Sequence, residues 1–188
     1  EVRKGKGGKY QLQRILPDDV EFVKSYFPAG AEDLFVFTKR EMENKIDLHA
    51  IRATVAKLAY RYYSDKLRSD PDYRAQLTKE IELRWKIYRG TPPPNSKKKY
   101  DWEWDERRVC GEYKVRGKNR IKAEKNGLPV VYDRLAVMAV SVFHLSHWRC
   151  DVTVDNYLLA DGRTQLKPYL SARSCQDRKQ KCCIQFSP

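Results

Sequence analysis

Two stretches in the first half of the chain carry helical periodicity, and nothing else in the sequence constrains the fold as tightly. Leu48, Ile51, Val55, Leu58 and Tyr62 recur at alternating steps of three and four, the spacing of one helix face. Asp47 stands where a cap acceptor is needed, so the pattern predicts a helix over 47–67. Arg52, Lys57, Arg61 and Lys66 fall outside that stripe, which leaves one face to pack and one to carry charge. The second stretch opens at Asp70-Pro71-Asp72, with Asp70 as cap and Pro71 at the first helical position. Its stripe is Tyr73, Leu77, Ile81, Trp85 and Tyr88, and Gly90 stops it, which predicts a helix over 70–89.

Around this pair the pattern is weaker. Residues 1–9 form a basic, glycine-rich arm containing Arg3, Lys4 and Lys6. Residues 10–16 are expected as a first strand. Pro17-Asp18-Asp19 starts a short helix over about 18–27, because proline and acidic residues suit a helix N-terminus. The apolar run 34–37 is expected as a buried strand. Residues 91–99 (TPPPNSKKK) read as an exposed Pro/Lys loop holding Lys97, Lys98 and Lys99.

Beyond the loop the pattern turns to β. A strand is expected over 109–115, and Asn126-Gly127 is a hairpin signal. The long apolar run 135–145 is expected as a central strand. Trp148, Cys150, Val152 and Val154 alternate with Arg149, Asp151, Thr153 and Asp155, the pattern of a sheet with one wet face. Asp161-Gly162 is a second hairpin signal, leading to a strand that ends near 170. The expected fold class is therefore α+β. Helices over about 18–27, 47–67 and 70–89 pack on a mainly antiparallel sheet formed largely by residues 109–170. Residues 10–170 make one domain, and 171–188 a basic, cysteine-bearing tail.

From Lys114 to Lys122 every second residue is basic: Lys114, Arg116, Lys118, Arg120 and Lys122. On an extended strand all five point the same way. Like charges that close repel, so such a face implies an anionic partner. The alternative is a turn at Gly117-Lys118-Asn119, which splits the basic residues between two strands and leaves them solvated. Arg3, Lys4, Lys6, Lys97, Lys98 and Lys99 add to the same cationic set. The formal net charge is +13 over 188 residues. The partner class is then nucleic acid, RNA ahead of DNA, or an anionic membrane surface. Tyr113 and Tyr132 could stack on bases if they are exposed.

Three other groupings carry chemistry. Trp102-Glu103-Trp104-Asp105-Glu106 lies between basic clusters, which fits self-association or, more simply, tryptophans in the core. His144, His147 and Cys150 are zinc-ligand types, with Cys175, Cys182 or Cys183 as a fourth. On a regular strand residues three apart point to opposite faces, so no cofactor is expected, zinc being the one exception to test. Glu112-Tyr113-Lys114, after Asp101 and Asp105 and with His49 in support, resembles the acidic and E-x-K groups by which metal-dependent nucleases hold Mg²⁺. No P-loop, G-x-S-x-G or H-E-x-x-H motif is present.

The five cysteines are odd in number and are not spaced as a disulfide scaffold, which points to a reducing, intracellular compartment, cytoplasm or nucleus, or to a virion. No run approaches the ~18–20 apolar residues of a membrane span. The expected function is a non-enzymatic, self-associating binder of nucleic acid or another polyanion. In architecture alone it resembles small viral matrix, capsid or nucleocapsid-associated proteins. The alternatives are a small metal-dependent nuclease using Asp105, Glu112 and Lys114, or an integral basic subunit of a ribonucleoprotein complex.

Overall fold

A computed structural model of the chain describes residues 12–25, 47–88 and 104–160. The arm with Arg3, Lys4 and Lys6, the apolar run 34–37, the loop with Lys97, Lys98 and Lys99, the second hairpin signal and the tail 171–188 lie outside the described residues. Residues 12–16 are not a strand. They run irregularly, with the Arg14 N–H donating to the Phe143 carbonyl at 2.8 Å. A 3₁₀ turn, Pro17–Asp19, leads into α1, Val20–Lys24.

The two long helices form with the expected caps. In α2, Leu48–Ser69, Asp47 Oδ1 accepts from the Ala50 N–H at 2.9 Å. Asp70 ends α2 in extended conformation and opens α3, Tyr73–Tyr88, its Oδ1 accepting from the Tyr73 N–H at 3.2 Å. One residue thus sets the corner between both helices. In α3 the expected Tyr73, Leu77, Ile81 and Trp85 are all buried.

In α2 a different face goes inward. Ala50, Ala53, Ala56, Ala59, Tyr63 and Leu67 are buried, whereas Val55 is 41% and Leu58 49% exposed. Ile51 and Tyr62 are only partly buried. The reason lies in the partner. α2 packs on α5, Arg134–Val140, where Ala136, Val137, Ala139 and Val140 are themselves small and fully buried. Small side chains on both helices let the axes approach closely, and bulkier residues would hold them apart.

The expected sheet over 109–170 is not present among the described residues, which hold one short antiparallel pair. β1, Glu112–Lys114, pairs with β2, Val131–Asp133, with Tyr113 opposite Tyr132. Between them stands α4, Gly117–Lys125. Asn126-Gly127 is not a hairpin turn but the C-terminal stop of α4. The Leu128 N–H donates to the Ala123 carbonyl at 2.9 Å and the Gly127 N–H to the Glu124 carbonyl at 3.2 Å, with Gly127 at φ +64°. That is a Schellman stop, which uses glycine for its left-handed conformation.

The run 135–145 is a helix rather than a central strand. Asp133 Oδ1 accepts from the Leu135 and Ala136 N–H groups at 2.9 and 3.2 Å, and α5 continues into a π-helical turn, Ser141–Leu145. Every residue from Leu135 to Leu145 is buried. Helices dry on all sides and central strands give the same unbroken apolar run, and only length and the cap tell them apart. The alternation after Trp148 is likewise overruled: α6, Cys150–Thr153, runs into a second π-helical turn, Val154–Leu158. Cys150, Thr153, Val154, Tyr157 and Leu158 point inward at helical spacing. Among the described residues no helix is long and apolar enough to cross a membrane.

Candidate functional site

The five alternating basic residues do not share one extended face. Lys114 lies on β1, Arg116 is the residue before α4, and Lys118, Arg120 and Lys122 are on α4. A helix turns about 100° per residue, so alternate positions face nearly opposite ways. All five remain exposed. Arg120 turns aside to pair with Glu124, Nε to Oε1 2.8 Å, one turn along. Lys118, Ile121, Lys122 and Lys125 make the outward stripe instead, at spacing i, i+3, i+4, i+7. Ile121 is 67% exposed within it. Lys125 was not part of the alternation; helical spacing is the signal that finds it.

α4 is a small element that gives little to the core. Ala123 is its one buried residue. Its first turn has no side-chain cap, because the cap position is Arg116, which cannot accept a hydrogen bond. Lys122 and Lys125 sit in the last turn, where the helix dipole favours cations, while Lys118 sits in the first, where it does not. Helix stability therefore does not account for the placement of Lys118.

At the foot of α4 is a half-open cleft of about 380 Å³, lined by Glu112, Tyr113, Lys114, Arg116, Arg134 and Asp155. β1 supplies the first three. Arg134 opens α5, and Asp155 comes from the Val154–Leu158 turn. Arg134 Nη2 donates to the Glu112 carbonyl at 3.2 Å, while its Nε is buried without a partner. Lys114 Nζ stands 3.8 Å from Glu112 Oε2, at the outer limit of an ion pair. Burial raises the Tyr113 hydroxyl above its ordinary range, with Asp155, Asp151 and Cys150 adding to the effect. Arg134 and Asp155 are far from β1 in sequence, and no local pattern would have joined them to it. Tyr132, the other candidate stacking ring, is buried and packs edge-on against Tyr60 at 5.3 Å between centroids.

The remaining candidates are held elsewhere. Asp105 is engaged by Arg107, whose Nε lies 3.0 Å from both carboxylate oxygens, and this holds the carboxyl below its usual range. His49 packs on Tyr157 at 4.9 Å, with Nε2 3.2 Å from the Asn156 carbonyl. Trp104 packs against Trp85, which also meets Trp148 and carries the Arg108 guanidinium over its ring at 4.4 Å. Trp102 and Asp101 lie outside the described residues.

His144, His147 and Cys150 each have a separate partner. His144 Nε2 is 3.2 Å from the Tyr63 hydroxyl, and burial, helped by Arg14 and Arg84, pushes it down to about 4. His147 Nε2 is 2.9 Å from the Tyr157 hydroxyl, and burial lowers it too, Arg52 and Arg149 adding. Burial pushes the Cys150 thiol up to about 11, away from the thiolate that a metal ligand requires. Among the described residues no group of three His, Cys, Asp or Glu side chains is placed to hold a metal ion. Cys175, Cys182 and Cys183 lie outside them.

A scan against protein-family models finds no match, and searches of curated proteins and of solved structures find none either.

Proposed function

We propose that this chain is a non-enzymatic binding protein that engages nucleic acid, RNA ahead of DNA, through α4 and the residues at its foot. The observation that carries this is the exposed stripe of Lys118, Ile121, Lys122 and Lys125, with Lys114 and Arg116 beside it. A phosphodiester backbone lying along it would release counterions at each contact and needs no base-specific geometry. A net charge of +13 adds long-range attraction. Self-association, in an assembly role or as a ribonucleoprotein subunit, belongs to the same proposal. Its support is compositional: a basic, glycine-rich N-terminal sequence and a net charge of +13.

The test is fluorescence anisotropy of a labelled single-stranded RNA across a salt series. If about four to six phosphates are neutralised, log affinity falls with log salt at a slope of about −3 to −4. Affinity that ignores salt would sink the proposal. Mass in solution, with and without RNA, tests the assembly half.

A metal-dependent nuclease is the second reading. Its support is that Glu112 and Lys114 both line the cleft, with Asp155 as a further carboxylate. It requires Mg²⁺- or Mn²⁺-dependent cleavage that Glu112→Gln abolishes. We expect none.

A further inference from the structure

We propose that the cleft at the foot of α4 binds a ribonucleotide unit, with its phosphate on Lys114, Arg116 and Arg134, its ribose hydroxyls on Glu112 and Asp155, and its base against Tyr113. The proposal rests on the nucleic-acid reading above and adds a defined pocket to it. The cleft holds three cations and two carboxylates, of which Lys114 and Glu112 form a loose ion pair at 3.8 Å. Among the described residues Arg116 and Asp155 make no ion pair, and Arg134 lines the same cleft while its Nη2 donates to the Glu112 carbonyl.

A bare anion suits this cleft poorly, because Glu112 and Asp155 repel it. A bare cation suits it no better, with three basic side chains in place. The fitting ligand presents phosphate oxygens at one end and hydrogen-bond donors at the other. A cleft of about 380 Å³ is of the size that takes a small molecule. Basic side chains recognise phosphate by charge-assisted hydrogen bonds. Carboxylates accept from ribose hydroxyls, and the 2′-hydroxyl is what separates RNA from DNA. Tyr113 is half-buried and lines the same cleft, and an aromatic ring is what a base stacks on. Arg116 lines the cleft and also begins α4, so a strand following Lys125 to Lys118 arrives at its mouth.

The experiment is a ¹H–¹⁵N titration of the full chain with AMP, dAMP, adenosine and inorganic phosphate, repeated with Asp155→Ala and Glu112→Gln. AMP is expected to shift the amides of 112–116, 134 and 155, and to bind about tenfold more tightly than dAMP or phosphate. Asp155→Ala should weaken AMP about tenfold while leaving phosphate unchanged or tighter, since it removes a repelling carboxylate. Glu112→Gln should act in the same direction and stands in if Asp155→Ala does not fold. AMP and phosphate binding equally, both tightening in Asp155→Ala, or neither moving the cleft amides would overturn the proposal. Labelled RNA run alongside separates the two levels. RNA that binds while AMP leaves the cleft untouched removes the pocket and keeps the α4 surface. RNA that fails to bind removes the parent reading, and the Asp155→Ala split then decides the pocket as a site for free ribonucleotide.

Discussion

α4 and α5 are separated only by the short link to β2 and β2 itself, yet they meet opposite solvents. α5 buries every residue from Leu135 to Val140, and α4 buries Ala123 alone. α5 is capped by Asp133, whose second oxygen is paired with Arg74 at 2.6 Å. α4 begins with an uncapped turn and is stopped by a glycine. Core packing holds the first in place, while among the described residues the second gives the core Ala123 alone. Substitutions in α5 should therefore register in stability, and substitutions in α4 in binding.

The largest expected effect is Val137→Asp. The side chain is fully buried, and an unpaired carboxylate there costs several kcal/mol, roughly the stability of a domain this size. Thermal melting should show no cooperative transition, or the protein should be insoluble. A soluble variant with the parent melting temperature would erase the contrast at its dry end.

Next comes acid. His144, in the turn that continues α5, is held at about 4 by burial, with Arg14 and Arg84 adding, whereas the unfolded chain protonates near 6.5. As pH falls, the unfolded state takes the proton first. The stabilisation is whole above about pH 6.5 and is lost as pH falls toward about 4, up to roughly 3 kcal/mol. His147 is shifted the same way and adds to the trend. Denaturant midpoints between pH 4 and 7 measure it. His144→Gln should flatten the curve, and an unchanged slope would place its source elsewhere.

A third variant, Lys118, Lys122 and Lys125 all to Ala, sharpens the wet end. RNA affinity should fall and the salt slope shrink by about two units. The melting temperature should hold, because exposed substitutions usually change stability by under ~0.5 kcal/mol each. Binding that survives intact in a folded variant would assign it to other basic residues. The smallest effect is expected from Val55→Asp. The position is exposed, so stability should change by no more than about 0.5 kcal/mol. A variant that unfolds would put α2's outer face back into the core.

How far the sequence can be read differs between elements for physical reasons. In α3 the inward face is also the face with the largest side chains, so periodicity locates it. In α2 the two come apart. Val55 and Leu58 are the more hydrophobic residues, but the alanines fit against α5, and fit decides. The run 135–145 and the segment 150–158 were legible in principle. The first is too long for an ordinary strand and is preceded by a cap, and the second carries inward residues at helical spacing that an overlapping alternation obscured. Lys114 and Arg116 were visible as candidates. The cleft they share with Arg134 and Asp155 was not, because its walls come from segments brought together only by folding.

By itself, then, the chain determined what depends on near neighbours and on composition. The Asp47 and Asp70 caps, the α3 stripe and the exposed positions of Lys114, Arg116, Lys118, Arg120 and Lys122 all follow from short-range hydrogen bonds, helical periodicity and the aversion of charge to burial. Tertiary structure alone decided which face of α2 is inside and where Arg134 and Asp155 stand. Each of these turns on whether surfaces distant in sequence fit closely enough to exclude water. That is a property of two partners at once, and it cannot be written into either one.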